Sequence, residues 1–120
     1  MKFLKEAIKE AEKSKLHFKI GAIIFKGNSI LSRGYNKISH NKKLHPKFMK
    51  WVGSVHAEQD AILSANVSLK GSNILVIRIN KNYILKNSKP CKYCMKYLKY
   101  VGIKKVYYSD KDGDIVTLKL

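Results

Sequence analysis

His56-Ala57-Glu58 and Pro90-Cys91-Lys92-Tyr93-Cys94 are the two segments around which the rest of this chain must be arranged. They supply one histidine, two cysteines and one glutamate, the side chains needed to bind a metal ion and to move a proton beside it. Cys91 and Cys94 are three positions apart, so on a helix they share a face and both sulfurs can reach one ion. We therefore expect a fold that brings the two segments together.

Each segment taken alone allows a simpler interpretation. A lone histidine at a helix start is more often a cap than a metal ligand, and a lone Cys-x-x-Cys fits either a redox pair or half of a structural zinc site. The sequence has no second cysteine pair, which disfavours a closed four-ligand zinc site, and a redox role leaves His56 and Glu58 unexplained. Three protein ligands with an open fourth position are typical of catalytic zinc. We expect this arrangement, because side chains in the first turn of a helix lean toward its N-terminus and can converge there.

The remaining chain alternates between helical and strand patterns. The predicted helices cover residues 2–15, 55–65 after a Ser54 cap, and about 90–100 with Pro90 at the first helical position. The predicted strands cover residues 18–25, 29–35, 73–79, 103–108 and 115–120. This order predicts an α/β fold of three layers, in which a five-stranded mixed sheet lies between helices. The turn before the last strand is too short for a parallel crossover, so strand five should run antiparallel to strand four.

Length and composition are those of one domain. The chain has 120 residues, of which 45% are hydrophobic, and we expect a single domain over residues 1–120. The longest apolar run, Ala22-Ile23-Ile24-Phe25, is far shorter than the roughly 20 residues of a membrane span. The two cysteines, at metal-ligand spacing, indicate a reducing compartment. We therefore expect a soluble cytoplasmic protein that does not enter membranes.

The charge balance is strongly positive. The chain carries 25 basic and 8 acidic residues, a formal net charge of +17. A field of this sign and size attracts phosphate polyanions, and nucleic acid is the obvious candidate. However, all of the basic residues except Arg33 and Arg78 are lysines, a bias that compositional drift can also produce. Both interpretations stay open at this point.

His-Ala-Glu followed by Pro-Cys-x-x-Cys resembles the motif of the zinc-dependent cytidine and deoxycytidylate deaminase superfamily. The resemblance extends to Gly21-Ala22-Ile23-Ile24 and Gly34-Tyr35-Asn36, which are similar to the first hairpin of these enzymes. It also extends to Gly102-Ile103-Lys104-Lys105-Val106, which is similar to the segment after their cysteine helix. The resemblance implies a cytidine-deaminase-like fold and hydrolytic deaminase activity.

The resemblance also implies a role for each residue of the motif. His56, Cys91 and Cys94 would hold Zn²⁺. Glu58 would take a proton from the metal-bound water and deliver it to the ring nitrogen and then to the leaving amine. The base attacked would be cytosine at C4, or adenine at C6.

Substrate contacts are predicted at three further positions. Asn36 ends the second strand, as in the family's Gly-Tyr/Trp-Asn, and is expected to contact the sugar or the base. The backbone N–H of Ala57 is expected to bind the base carbonyl. Trp51, in a loop predicted over residues 36–53, is a candidate for stacking on bases, although packing explains such an aromatic side chain equally well.

Two features depart from the family pattern. The gap between His56 and Cys91 is longer than in typical deoxycytidylate deaminases, with the excess in the basic stretch 80–89. The chain also lacks the helix that related enzymes place between strands four and five. The substrate of any one relative therefore cannot be assigned to this chain.

The leading hypothesis for function is deamination of cytosine within single-stranded DNA or RNA. The positive charge, the loop 36–53 and the stretch 80–89 would contact phosphates at the pocket mouth. The alternative is a deaminase of free cytidine or a free cytosine nucleotide. An adenine deaminase is less favoured, as is a non-catalytic zinc-containing module that binds nucleic acid, since nothing structural requires a carboxylate at Glu58. Members of the superfamily often assemble, so a homo-oligomer is compatible with the resemblance.

Overall fold

The computed structural model describes residues 1–38 and 54–120. Its helices are α1 (Leu4–Glu12), α2 (Ala57–Leu63) and α3 (Lys92–Val101). Its strands are β1 (Lys19–Lys26), β2 (Ser29–Tyr35), β3 (Lys37–Ile38), β4 (Ser54–Val55), β5 (Asn73–Ile79), β6 (Leu85–Lys86), β7 (Lys105–Ser109) and β8 (Ile115–Lys119). Six strands form one sheet in the order β2-β1-β5-β7-β8, with β6 paired to β5, and β3 pairs with β4 separately.

The central strand β5 determines where the N-terminus of α3 lies. It runs antiparallel to β1 and β6 and parallel to β7. The connection from β5 to β7 passes through α3, as a parallel pair requires a long crossover. In such a unit the helix begins at the edge of the sheet where the preceding strand ends, which is where ligands bind in many α/β proteins. The N-terminus of α3 therefore lies near the carboxyl end of β5.

The sheet is covered on both faces, and alternate residues of β5 therefore pack in two separate cores. Ile74 and Val76 pack in the core that contains α2 and α3 residues, whereas Leu75 and Ile77 pack in the core that contains α1 residues. All four side chains are fully buried. Burial on both faces explains the nearly continuous β-branched run in the sequence.

Gly34 of β2 lets α2 lie unusually close to the sheet. A Cβ at this position would collide with the backbone oxygen of Ala57 and the backbone nitrogen of Ala61. Since Ala57 opens α2, this close packing also sets how far the first turn of α2 stands from the sheet.

The structure confirms the predicted three-layer α/β fold with a mixed sheet. It also confirms that the last strand, β8, runs antiparallel to β7. The sequence analysis did not predict one strand of this sheet, β6, which lies in the stretch 80–89 and pairs with the end of β5. This strand is only two residues long and carries no periodic pattern. Across the described residues, no helix has the length and apolar character needed to cross a membrane.

Both functional helices begin later than predicted. Ser54 does not cap α2, because Ser54 and Val55 pair with β3 as a short antiparallel ribbon. The N-cap of α2 is His56, in an extended conformation with φ −73° and ψ 155°. The N-cap of α3 is Cys91, with φ −68° and ψ 166°, so Pro90 precedes the helix instead of opening it.

Candidate active site

His56 and Cys91 occupy equivalent positions, since each is the residue immediately before the first turn of its helix. Their side chains meet between α2 and α3. The Nδ1 atom of His56 lies 3.2 Å from the Cys94 sulfur and 3.9 Å from the Cys91 sulfur. The three candidate ligand atoms all lie within 4.8 Å of one another. The structure thus brings together the three residues that the sequence predicted as metal ligands.

The spacing of these atoms fits zinc. Tetrahedral Zn²⁺ with Zn–S near 2.3 Å and Zn–N near 2.0 Å separates a nitrogen and a sulfur ligand by about 3.5 Å. The two nitrogen–sulfur distances, 3.2 and 3.9 Å, lie on either side of that value. Two thiolates and one imidazole are a donor set that zinc favours. Because Nδ1 faces both sulfurs, Nε2 is the ring nitrogen that carries the proton when the metal is bound.

Hydrogen bonds among these three residues shift the pKa of each of them. Hydrogen bonds from Cys94 and His56 lower the pKa of Cys91 to about 3. The hydrogen bond to Cys91, together with burial, raises the pKa of Cys94, and the hydrogen bond to Cys91 raises that of His56. Cys91 is therefore a thiolate, the form that binds metal, and zinc would displace the proton of Cys94.

Glu58 lies beside the three ligands, in the first turn of α2. Only 5% of its surface is exposed, yet it lines the same cavity as His56 and Cys91. Burial raises the pKa of its carboxyl group, since removal from water disfavours the charged form, while a hydrogen bond from the Glu58 backbone and the positive charge of His56 oppose this effect. A carboxyl group with a raised pKa is suited to accept and return a proton near neutral pH.

A cavity of about 310 Å³, called here the catalytic cavity, opens above these residues. This volume is at the lower end of the range for small-molecule sites. The catalytic cavity is lined by Leu16, Phe18, Ile20, Asn36, Ser54, Val55, His56, Glu58, Arg78, Asn87, Ser88, Lys89 and Cys91. Cys94 lies fully buried beneath it.

Asn36 lines the catalytic cavity, but its side chain also holds the cavity wall together. Its Oδ1 accepts a hydrogen bond from the Ile20 N–H at 2.9 Å, and its Nδ2 donates one to the Phe18 carbonyl. Its backbone carbonyl accepts a hydrogen bond from the Ser14 hydroxyl at 2.8 Å. One N–H of the amide group is left over from these bonds, so Asn36 can fix the start of β1 and still face a substrate.

Of the other two predicted substrate contacts, one lies at the start of α2 and the other lies outside the described residues. Ala57 is the first residue of α2, where a backbone N–H has no acceptor within the helix. Its side chain is fully buried in the core. Trp51 lies outside the described residues, as does most of the predicted loop. The substrate-binding roles of Asn36, Ala57 and Trp51 stay predictions.

The sequence analysis did not identify Phe18 and Arg78 as residues of this site, whereas Lys89 belongs to the stretch 80–89 that it placed at the pocket mouth. Arg78 carried a detectable signal, since it interrupts the otherwise apolar run from Ile74 to Ile79. It follows Ile74 and Val76 in the alternation of β5, and therefore lies on the face that carries α2 and α3. A charged residue at this position can only be accommodated where the two helices leave the sheet uncovered.

A buried pair of serines fixes the segment that leads into Cys91. The Ser88 hydroxyl donates to the Val76 carbonyl at 2.7 Å and lies 2.8 Å from the Ser109 hydroxyl. The Ser109 hydroxyl in turn donates to the carbonyl of Lys86 at 2.6 Å. These bonds attach the stretch 80–89 to the sheet, so it forms a wall of the catalytic cavity.

Comparison with known proteins agrees with this geometry. The family model described as the cytidine and deoxycytidylate deaminase zinc-binding region matches residues 1–110. An "uncharacterized deaminase in luxG 3′ region" of Aliivibrio fischeri is 30% identical over 102 residues. The match covers 82% of this chain and 63% of the relative, so the chain spans less than two thirds of that protein.

Two solved structures are similar over most of the chain. The dCMP deaminase of cyanophage S-TIM5, crystallised with dCMP and dUMP, is 26% identical with a TM-score of 0.66, and the match covers 91% of this chain and 79% of that one. Cytidine deaminase from Burkholderia pseudomallei is 20% identical with a TM-score of 0.69, covering 98% and 89%. At that identity the second likeness is one of fold alone.

Proposed function

This chain belongs to the cytidine and deoxycytidylate deaminase family, and we propose that it hydrolyses the bond between C4 and the amino group of a cytosine nucleotide to give the uracil nucleotide and ammonia. The observation that carries the proposal is the position of Glu58. Its buried carboxyl group lines one cavity together with the ligands His56 and Cys91. A purely structural zinc site would not need this carboxyl group.

Each part of the reaction has a residue suited to it. Zinc, when held by the three ligands, lowers the pKa of water so that hydroxide is available near neutral pH. Hydrolysis then requires a group that accepts a proton and returns it to the base. Glu58 can accept the proton at its carboxylate, donate it to the ring nitrogen, and carry a further proton to the departing amine. Its burial limits exchange of these protons with bulk water.

One observation supports a free nucleotide over a nucleic-acid strand, which reverses the order favoured by the sequence: several lysines have intramolecular partners. Lys13 pairs with Glu10, Lys19 donates to the Ser14 carbonyl, and Lys37 pairs with Asp60. The similarity to a dCMP deaminase agrees with this preference.

A second candidate, deamination of cytosine within single-stranded DNA or RNA, is supported by the net charge of +17. It is also supported by Phe18, which is 50% exposed at the wall of the catalytic cavity and could stack on a neighbouring base. The two candidates share the chemistry at Glu58 and differ in how many phosphates contact the protein.

A substrate panel tests both candidates. Zinc-loaded protein would be incubated with deoxycytidine, cytidine, dCMP, CMP and cytosine-containing DNA and RNA strands, and the uracil product would be quantified. We expect the highest kcat/KM for a monophosphate, with weak dependence on salt because few ions are released. Preferential turnover of a strand, with a steep salt dependence, would support the second candidate. The proposal is wrong if no cytosine substrate is converted.

A further inference from the structure

Arg78 and Lys86 form an unusual cross-strand pair. They lie directly opposite each other in the antiparallel pairing of β5 with β6. Residues in direct register project from the same face of a sheet, and like charges there repel. The next pair, Ile79 and Leu85, belongs to the core on the α1 side. Arg78 and Lys86 therefore project from the opposite face, which carries the zinc ligands.

Neither Arg78 nor Lys86 forms an ion pair in the part of the chain that the structure describes. Within residues 1–38 and 54–120, the ion pairs at a nitrogen–oxygen distance of 4.0 Å or less involve Lys13 and Lys37, not Arg78 or Lys86. Two cations in direct register, neither of them in an ion pair, create a local positive potential. Such a site favours an anion, and a guanidinium group can bind a phosphate with two parallel hydrogen bonds.

Arg78 is also held in place by Phe18. The guanidinium carbon lies 3.9 Å from the centre of the Phe18 ring, and the His17 ring lies 4.9 Å from that of Phe18. The Phe18 backbone is itself bound to Asn36. Stacking on an aromatic ring orients the planar guanidinium and leaves its edge free to donate hydrogen bonds.

Arg78 and Phe18 stand between two cavities. Both line the catalytic cavity, and both line a second cavity of about 390 Å³, called here the outer cavity. Among the described residues that line the outer cavity, Lys19, Arg78 and Lys81 are cationic and none is acidic. A substrate whose base lies over Glu58 would therefore have a cationic surface where the catalytic cavity meets the outer one.

We propose that Arg78 recognises the phosphate of the substrate, with the charge of Lys86 opposite it adding to the positive potential, and so makes the enzyme selective for nucleotides over nucleosides. This inference rests on the proposed function. The recognised group is a phosphate ester next to the sugar, which is present both in a free 5′-monophosphate and in a strand. Arg78 acts on specificity and takes no part in proton transfer.

The test compares kcat/KM for dCMP with kcat/KM for deoxycytidine. For Arg78→Gln, we expect the ratio of the two values to fall about 10- to 100-fold, as for loss of a charge-assisted hydrogen bond, and the change to appear mainly in KM. Arg78→Lys should restore only part of the selectivity, and Lys86→Gln should show a smaller loss than Arg78→Gln. Arg33→Gln is the matched control, because it removes the same charge from an exposed position of β2 and should leave the ratio unchanged.

A binding experiment provides a readout without turnover. Calorimetry of dUMP and deoxyuridine should show that the wild type prefers dUMP and that Arg78→Gln loses this preference. A fall in the dCMP-to-deoxycytidine ratio for Arg33→Gln equal to that for Arg78→Gln would overturn the inference, as would an unchanged preference for dUMP in Arg78→Gln. The same ratios measured with a single-stranded oligonucleotide identify whether a phosphodiester is the preferred source of the phosphate. Failure of the wild type to deaminate any substrate overturns the proposed function, whereas the dUMP comparison still decides the role of Arg78.

Discussion

The carboxylate of Asp60 lies 2.9 Å from the ammonium nitrogen of Lys37 and accepts a hydrogen bond from the backbone N–H of Tyr35 at 3.1 Å. Asp60 belongs to α2, whereas Tyr35 and Lys37 flank Asn36 at the end of β2. The Lys37 ammonium also lies 3.8 Å from the centre of the Tyr35 ring. Asp60 therefore joins the helix that carries His56 and Glu58 to the segment that carries Asn36.

Replacing Asp60 with asparagine should weaken this connection. We expect Asp60→Asn to lower the free energy of unfolding by about 1–3 kcal/mol, because Lys37 would lose its partner while the bond from Tyr35 could persist. The side chain of Lys37 is 27% exposed, so the loss should not reach that of a fully buried pair. Urea denaturation of Asp60→Asn, Lys37→Met and the double variant measures the coupling. Strict additivity of the two single changes would contradict a direct interaction.

A methyl group at Gly34 should separate α2 from the sheet. Gly34→Ala places a Cβ against backbone atoms of Ala57 and Ala61, which cannot rotate away as a side chain could. We expect the free energy of unfolding to fall by about 1–3 kcal/mol or more, together with weaker zinc binding because His56 moves with the helix. Ser29→Ala, at the exposed start of the same strand, is the control in thermal unfolding and zinc titration. Equal zinc affinity in both variants would contradict the link between Gly34 and the metal site.

Glu58 should be essential for turnover but not for metal binding. Glu58→Gln keeps the shape of the side chain and removes its ability to accept a proton. We expect kcat to fall by about 10²- to 10⁴-fold or more, while elemental analysis still finds zinc in the protein. Unchanged turnover would exclude the role assigned to Glu58, and loss of zinc would show that the carboxyl group holds the metal site together.

Removal of zinc should destabilise the whole domain. Zinc binds residues of two helices only when the fold brings them together, so it stabilises the folded state by about 4 kcal/mol at a free concentration roughly 1,000 times its Kd. We expect a chelator to lower the Tm of the wild type. Cys94→Ala should show a low Tm that neither zinc nor a chelator shifts. A chelator-induced decrease of the same size in Cys94→Ala would indicate that zinc acts elsewhere.

The grouping of His56, Cys91 and Cys94 was predictable because the signals in the sequence are local. Two cysteines three positions apart, and a histidine near the start of a helical pattern, can both be recognised without knowing the rest of the fold. The strands Ser29–Tyr35 and Asn73–Ile79 were predicted with their correct bounds for a similar reason, since a run of β-branched residues ended by turn residues is itself a local pattern.

The remaining features depend on contacts between distant segments. The strand β6 is stabilised by its pairing with β5 and by the Ser88–Ser109 hydroxyl pair, neither of which has a sequence pattern. Whether Arg78 faces solvent or the catalytic cavity depends on the register of β5 in the sheet, and a shift by one residue would reverse the answer. The start of α2 was misplaced because Ser54 has the properties of a cap but is used in the β3–β4 ribbon.

The position of Cys91 at the start of α3 has a consequence for the stability of that helix. Its side chain makes no capping hydrogen bond, and the first turn of α3 contains no acidic residue to interact with the helix dipole. A serine or aspartate there would stabilise the helix by about 1 kcal/mol, but it would replace a thiolate ligand of zinc. Cys91 at the N-cap therefore costs helix stability, and the binding of zinc by its thiolate would offset this cost.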